Sequence, residues 1–227
     1  YPINAYGMIS QPKLSIALRP SPGVTVYGNY GRTFQIGVGA GAYKVPPRTT
    51  DLAPSINQGW EAGVKLSRGR WLQARVAAWQ QTASGEIKRL LNDPSGDSAN
   101  LGKTRRRGID VQLSVTPVTG MALWGAYSYQ QARIVTPDPA TPSQAGNWID
   151  HVPQNLFSGG VDWQPVERWR VSLSGNGQSS YYLTPANALG RYGDYLVLNG
   201  EVAWRVQPHL EVAAQLKNIG NRRYEYV

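Results

Sequence analysis

Hydrophobic and polar residues alternate along several long segments of the chain. In residues 108–115, every odd-numbered position from Ile109 is aliphatic, and the even-numbered positions from Asp110 to Ser114 are polar. The same period recurs in further segments, which lie at 14–18, 60–67, 168–176, 196–205 and 210–217. A period of two is typical of a β-strand with one apolar and one polar face. The sequence predicts an all-β, antiparallel chain of about ten strands in five hairpins, without a helix.

Short turns separate these segments in pairs. They contain proline or glycine, which supply the fixed or positive φ that tight turns need. They recur at intervals of 43 to 49 residues, at Pro20, Gly69, Pro117, Pro165 and Pro208. Between them lie long stretches rich in glycine and proline, roughly at 35–56, 91–98, 136–150 and 184–193. Short turns on one side and long loops on the other are typical of a transmembrane β-barrel.

A soluble β-sandwich or propeller also has strands with one wet face, but the strand lengths argue against it. The segments 168–182 and 193–206 exceed the mean soluble strand of about 5–6 residues. A tilted membrane strand needs about 9–11 residues. One segment, residues 121–135, shows no clean alternation, so its two faces stay unassigned at this stage.

The positions of tryptophans and charges also favour a membrane barrel. Tryptophans lie beside the short turns, which predicts an aromatic girdle on one rim. They are Trp71, Trp124, Trp163, Trp169 and Trp204. Charged residues occur over the whole length of the polar face, which a dry protein core would not tolerate unpaired. They are Glu61, Lys65, Arg75, Asp110, Arg170, Glu201, Arg205, Glu211 and Lys217.

The composition narrows the possible chemistry. The 227 residues include 8 Trp and 13 Tyr but only 2 Phe, and Tyr and Trp suit a boundary between hydrocarbon and water. The chain has no cysteine, which excludes a disulfide scaffold and a thiolate metal site. The net charge of +9 is spread along the chain, so nucleic acid is not an expected partner. The sequence contains no run of about 18 apolar residues, so it predicts no transmembrane helix.

Five segments, in this order and spacing, resemble the late strands of TonB-dependent receptors. Residues 100–110 (NLGKTRRRGID) match an Asn-x-Gly stretch that leads to a basic pair, glycine, an aliphatic residue and an acid. A Pro-Gly turn follows at 117–120, and then an aromatic strand at 126–129 (AYSY). HVPQNLF at 151–157 resembles a strand opening, and LKNIGNRRYEYV at 216–227 resembles the near-terminal strand.

This resemblance covers most of the chain from about residue 12 onward and implies both a fold and a function. Such receptors have about 22 strands around a plug. Residues 1–227 are therefore expected to form the C-terminal portion of the barrel, with the plug, the early strands and the final strand absent. The resemblance implies an active importer in the outer membrane of a Gram-negative bacterium, which takes up a ferric siderophore or a similar scarce ligand. A passive porin-like or other outer-membrane barrel without TonB coupling is the alternative.

The expected partners follow from the same resemblance. They are the ferric siderophore, the TonB complex through the absent plug, and outer-membrane lipid and lipopolysaccharide. No cofactor or metal held by the protein is expected, because His151 and His209 are 58 residues apart and cysteine is lacking. Iron would arrive only within the ligand. The run 105–107 (RRR) is expected at the loop end of a strand, with some side chains facing the interior or lipopolysaccharide phosphates.

The ligand is expected at aromatic and basic residues of the long loops, because the resemblance implies capture at the extracellular face. Arginine attracts a carboxylate or catecholate-rich anion by charge-assisted hydrogen bonds, and Tyr and Trp pack on aromatic parts of a ligand. The predicted ligand-binding residues are Tyr43, Arg48, Trp148, Tyr181, Tyr182 and Arg191. The alternative is that they form an outer aromatic girdle and ordinary loop surface.

A catalytic function is not expected. His151 lies next to Asp150, and Ser143 or Ser158 could in principle complete a Ser-His-acid set. The sequence contains no nucleophile-elbow motif that would support such a set.

Overall fold

The chain forms an antiparallel β-sheet. The computed structural model describes residues 8–35, 54–89, 98–139 and 141–224. The strands of these ranges are β1 (Lys13–Ser21), β2 (Val24–Gln35), β3 (Ser55–Arg68), β4 (Leu72–Ser84), β5 (Ile87–Arg89), β6 (Ser98–Asn100), β7 (Lys103–Val118), β8 (Met121–Thr136), β9 (Asn155–Val166), β10 (Trp169–Gln178), β11 (Tyr181–Tyr182), β12 (Arg191–Tyr192), β13 (Tyr195–Gln207) and β14 (Leu210–Leu216). Pro142–Gln144 form a short 3-10 helix. Within the described ranges, no helix has the length and hydrophobicity needed to cross a bilayer.

Ten of these strands make one sheet, in the order β1-β2-β3-β4-β7-β8-β9-β10-β13-β14. Every neighbouring pair is antiparallel, and the tight turns close five hairpins. Gly23, Gly69 and Gly120 adopt positive φ in three of these turns, at +82°, +56° and +82°. Strands β1 and β14 form the two edges, so the sheet does not close on itself. The predicted all-β architecture of ten strands in five hairpins is confirmed.

One face of the sheet is apolar and exposed over its whole width. In a single row across β3, β4 and β7, Val64 lies opposite Val76, which lies opposite Val111. These three side chains are 45%, 50% and 36% exposed. The row continues through Tyr127 and Phe157 on β8 and β9. We call this the apolar face; an exposed apolar surface of this width is what the lipid face of a barrel presents.

The opposite face, which we call the polar face, carries the charges that the alternation predicted. Each acidic residue of the ten strands points to this side. They are Glu61, Asp110, Asp162, Glu201 and Glu211. Several form ion pairs: Arg170 lies 2.9 Å from Glu211 and 3.3 Å from Glu201. Charges that pair side by side on one face of a sheet fit a hydrated interior and do not fit a dry core.

The predicted tryptophan girdle is partly confirmed. Trp163, Trp169 and Trp204 lie on the apolar face near the short turns, and the Trp169 and Trp204 rings stack with centroids 5.7 Å apart. The prediction was wrong for Trp124, because it faces the polar side. It lies between its register partners Ser114 and Gly160, where the missing side chain of the glycine makes room for the indole.

Candidate functional site

A polar cluster links three neighbouring strands on the polar face. The Tyr27 hydroxyl donates to the Glu61 carboxylate at 2.7 Å. Arg75 donates from Nε to the Tyr27 hydroxyl at 2.8 Å and from a terminal nitrogen to Glu61 at 2.6 Å. The Lys65 ammonium lies 5.1 Å from the centre of the Tyr27 ring, within cation–π range. The cluster fixes two cations and one carboxylate on the polar face, where they can contact a polar partner.

A second cluster lies where β4 ends and β7 begins. Arg106 donates two hydrogen bonds to the Glu86 carboxylate, at 2.8 and 2.5 Å. The Thr104 hydroxyl, which is fully buried, also donates to Glu86. A bidentate arginine–carboxylate pair of this kind has a well-defined geometry. Arg106 therefore points to the polar face and is held there.

Between these clusters the polar face forms a concave region of about 530 Å³. Amide, carboxylate and indole groups line this region. They include the side chains of Asn57, Glu61, Trp79, Gln81 and Asp110. Asp110 accepts a hydrogen bond of 2.6 Å from Ser128. A surface with this mixture of donors, acceptors and aromatic residues suits a polar partner on the polar face.

Aromatic rings lie against glycines at three places on the polar face. Each ring belongs to the residue directly opposite the glycine on the neighbouring strand, and a Cβ on the glycine would come within 3 Å of the ring. The pairs are Tyr27 with Gly63, Trp79 with Gly108, and Trp124 with Gly160. The rings therefore lie flat against the sheet and do not project far from the polar face. Such pairs also fix strand register.

At the loop end, the connection between β8 and β9 folds back onto β8. Backbone hydrogen bonds join Ile134 N to Asn147 O at 2.9 Å and Ile149 N to Ala132 O at 3.0 Å. Ile149 packs against Ile134, Ala132 and Leu101 in a small hydrophobic core, in which Ile134 is 0% exposed. The loop therefore pairs with β8 along its edge, and the small core lies on the polar side of the sheet.

Asn187 joins that loop to the next one. Its side-chain oxygen accepts from Trp148 N at 2.7 Å, and its amide donates to Trp148 O at 2.9 Å. Asn187 has a φ of 54°, a region that asparagine tolerates better than most residues. Two further bonds tie the same loops together, from Asn147 to Pro185 O and from His151 N to Tyr182 O, both 2.9 Å. We call these contacts the loop clasp.

Four of the six predicted ligand-binding residues lie in or beside the loop clasp. The Trp148 ring stacks under the Arg133 guanidinium, with 4.0 Å between the guanidinium carbon and the ring centre. Tyr181 is only 3% exposed, and its ring packs on His151 at 5.5 Å between centroids. His151 in turn lies 2.8 Å from the Asp150 carboxylate. Trp148 and Tyr181 thus have packing partners within the chain.

Tyr182 and Arg191 present a more open surface. They are register partners on β11 and β12, and the Arg191 guanidinium lies 5.3 Å from the centre of the Tyr182 ring. Arg191 is exposed and Tyr182 half-buried. Tyr43 and Arg48 lie outside the described residues. Sequence reasoning missed the loop clasp, because no local pattern marks contacts between residues 39 positions apart.

Comparison with known proteins gives the family. Residues 3–219 match the family described as "TonB dependent receptor-like, beta-barrel". Among curated proteins, the ferric-pyoverdine M114 receptor PbuA of Pseudomonas sp. (strain M114) is 27% identical over 217 residues. That match covers 88% of this chain and 25% of PbuA. The metal-pseudopaline receptor CntO of Pseudomonas aeruginosa is 28% identical over 131 residues, which is 54% of this chain and 17% of CntO. The chain thus spans a quarter or less of the length of these relatives.

Solved structures show the same fold. The ferric yersiniabactin uptake receptor FyuA from Yersinia pestis superposes with a TM-score of 0.76 at 15% identity, over 93% of this chain and 32% of that one. The ferric preacinetobactin receptor BauA from Acinetobacter baumannii gives a TM-score of 0.69 at 23% identity, over 94% and 32%. These likenesses cover most of the chain, which forms the ten-stranded sheet. The chain belongs to the TonB-dependent receptor family and forms part of its β-barrel.

Proposed function

We propose that the receptor containing this chain imports a ferric siderophore across the outer membrane of a Gram-negative bacterium. The observation that carries the proposal is the ten-stranded sheet of the receptor family, with an exposed apolar face and a charged polar face. Relatives named as a ferric-pyoverdine receptor and a metal-pseudopaline receptor support a metal-chelate ligand. Iron is cargo within that ligand, and the proposal includes no catalytic step and no cofactor held by this chain.

The membrane placement follows from the faces of the sheet. Apolar side chains exposed across ten strands require an apolar surrounding, since water would make each exposed large side chain unfavourable by roughly 1.5–3 kcal/mol. Lipid supplies that surrounding. The short turns would then lie on the periplasmic side and the loop clasp outside the cell.

TonB-supplied energy is the second part of the proposal. The polar face already holds compensated charges and a concave region that suits a polar plug. A passive barrel would instead leave this interior open to diffusion. The two mechanisms differ in their dependence on TonB, which uptake measurements can resolve.

The import experiment uses the complete receptor gene in its host. A deletion strain should lose accumulation of radioactive iron presented as a ferric siderophore, and the complete gene should restore it. Deleting tonB should abolish uptake in the complemented strain. Saturable uptake that persists without TonB would overturn active import in favour of a passive barrel. Uptake unchanged in the receptor deletion, with every siderophore that feeds the host, would overturn the siderophore assignment.

For the ligand contacts we propose the six loop residues predicted from the sequence. Arg191 is supported by its exposed position beside the half-buried Tyr182. In the complete receptor, Arg48→Ala combined with Arg191→Ala should weaken binding of the ferric siderophore by on the order of tenfold, because charged hydrogen bonds are lost. Equilibrium binding of the siderophore to whole cells or purified receptor would measure the change.

The matched control removes two arginines from the opposite end of the barrel. Arg68→Ala with Arg70→Ala changes the net charge equally but lies at a short turn. It should leave the affinity unchanged. Equal affinity of both double variants and the parent receptor would remove Arg48 and Arg191 from the site.

A further inference from the structure

The loop between β8 and β9 has one residue whose backbone faces away from the sheet. Asn147 O and Ile149 N form hydrogen bonds to β8. Trp148, between them, is paired with Arg133 as an antiparallel bridge. Because the backbone groups of such a pair point away from the partner strand, the N–H and C=O of Trp148 point away from β8. They therefore need an acceptor and a donor from another part of the chain.

The side chain of Asn187 supplies both groups. Its oxygen accepts a hydrogen bond from Trp148 N at 2.7 Å, and its nitrogen donates to Trp148 O at 2.9 Å. The same nitrogen donates to Thr184 O at 3.1 Å, so each of its two hydrogens has an acceptor. The carboxamide thus takes the place that a peptide group of a neighbouring strand would occupy.

A turn directs this side chain toward the loop. Asn187 N donates to Thr184 O at 3.0 Å, which closes a turn over residues 184–187. Pro185 lies at the second position of this turn, where proline is favoured. Asn187 has a φ of 54°, a region that asparagine adopts more readily than alanine. Asparagine therefore suits this position both for its backbone and for its carboxamide.

The hairpin that contains this turn also carries Tyr182 and Arg191. These two residues are register partners, and the hairpin has only two paired positions, which cannot keep it folded by themselves. The Arg191 guanidinium is exposed and lies 5.3 Å from the centre of the Tyr182 ring. Hydrogen bonds from the β8–β9 loop reach the hairpin at three positions, which are Tyr182, Pro185 and Asn187. The arrangement of the hairpin therefore depends on the loop clasp.

We propose that Asn187 is a positioning residue, which holds the hairpin against the β8–β9 loop so that Tyr182 and Arg191 keep one arrangement before a ligand arrives. The inference deepens the proposed function and rests on it, because it concerns the surface to which we assign the ligand. Asn187 acts through the two residues and does not have to touch the ligand. A site that is formed in advance does not have to order its loops during binding, which favours both affinity and rapid association.

Three substitutions of Asn187 in the complete receptor separate its carboxamide from its backbone conformation. Asn187→Ala removes the carboxamide and disfavours the positive φ, whereas Asn187→Gly removes the carboxamide and keeps that φ accessible. Asn187→Asp keeps the shape, but an oxygen acceptor then faces the carbonyl oxygens of Trp148 and Thr184. All three variants should lose the contact. Parent-like behaviour of the glycine and aspartate variants would overturn the proposal, because only the backbone conformation would then matter.

Hydrogen exchange, measured by mass spectrometry without ligand, tests the contact directly. Peptides that cover residues 146–149 and 181–192 should both exchange on the order of tenfold faster in the three variants, because the bonds that join them are lost. Asn218→Asp is the matched control and should leave both peptides unchanged. Asn218 has a φ of 51°, and its carboxamide bonds to N and O of Arg222, both at 2.9 Å, but it lies after β14 and outside the loop clasp. Unchanged exchange in the Asn187 variants would overturn the proposal.

Binding kinetics test whether the held arrangement serves the ligand. The probe is ferric pyoverdine, the chelate in the name of the relative PbuA. The Asn187 variants should associate with it on the order of tenfold more slowly and dissociate like the parent receptor, because only a fraction of the molecules has the hairpin in place. Heat-modifiable mobility on gels will show that the variants are folded.

Two binding results would overturn the inference. One is an unchanged affinity in a folded variant whose two peptides have lost protection. The other is a change confined to the dissociation rate, which would make Asn187 a direct ligand contact and not a positioning residue. A parent receptor that does not bind the probe would count against the proposed function, and hydrogen exchange would still decide whether Asn187 holds the hairpin.

Discussion

Replacing Val111 by arginine in the complete receptor is expected to lower its folding stability by about 2–4 kcal/mol, the usual loss for a cation at the midplane of a barrel's lipid face. Val111 lies in the middle of β7 on the apolar face, directly opposite Val76 on one side and Tyr127 on the other. It is 36% exposed, and its surroundings are hydrocarbon in the proposed membrane. An arginine there has to reach the interface or draw water into the lipid.

Reversible folding into lipid vesicles, followed by denaturant titration and gel mobility, would measure this loss. The neighbouring residue supplies the control. Gln112 lies at the same height on the same strand but faces the polar side, opposite Arg75 and Ala126. Gln112→Arg should cost no more than about 1 kcal/mol, because a hydrated face tolerates charge and repulsion from Arg75 opposite it is of that size at most. Equal losses for both variants would show that the two faces do not have different surroundings, and would overturn the membrane assignment.

The alternation that made Val111 predictable comes from this contrast between two solvents. A strand that separates hydrocarbon from water must place each residue type on a fixed side, so Ile109 to Val115 can be assigned from the sequence. The same reasoning placed Arg170, Glu201 and Glu211 on the polar face, but it did not predict that they form ion pairs there. It also gave the strand count and the five hairpins.

The alternation of polar and apolar residues could not assign the two faces of β8. Large aromatic residues occur there at both even and odd positions, with Trp124 on one side and Tyr127 and Tyr129 on the other. The side of Trp124 depends on Gly160, a residue of the next strand that leaves space for the indole. A pattern within one strand cannot contain that information, because it is a property of two strands in register.

For the run Arg105 to Arg107, the sequence predicts which side chains share a face, but it does not predict their neighbours on other strands. Adjacent residues of a strand point to opposite faces, so Arg106 had to differ from Arg105 and Arg107. The structure shows Arg106 bound to Glu86 on the polar face. The sequence could not show that Arg105 has Arg133 directly opposite it, because the two are in different strands.

The loops were the least predictable part of the candidate site. Residue type indicates what a side chain can bind, but exposure depends on how distant loops pack. Tyr181 was a ligand candidate by type, and it packs on His151 with 3% of its surface exposed. Arg191 was chosen for the same reason and lies open beside Tyr182. Such differences in exposure depend on how the loops pack in the loop clasp around Asn187. Its contacts join residues that are far apart in the sequence.

Gly108→Ala is expected to destabilise the barrel by about 1–3 kcal/mol, the typical cost of overpacking a filled site. A methyl group at Gly108 would meet the Tyr129 carbonyl oxygen, which belongs to the backbone and cannot rotate away. It would also lie 2.8 Å from the Trp79 ring, which rests on the glycine. The sheet would have to open locally, or the indole would have to move into the interior. Denaturant titration of the complete receptor in vesicles would measure the loss.

Gly31→Ala is the matched control, because Gly31 is also a strand glycine on the polar face but has no heavy atom within 4 Å of an added Cβ. Alanine there should be neutral or stabilising by up to about 1 kcal/mol, since it restricts the unfolded chain. Adding Trp79→Leu to Gly108→Ala should recover part of the loss by removing the ring contact, while the Tyr129 carbonyl keeps the rest. If Gly108→Ala and Gly31→Ala proved equally mild, close packing of ring on glycine would not be what holds β4 and β7 in register.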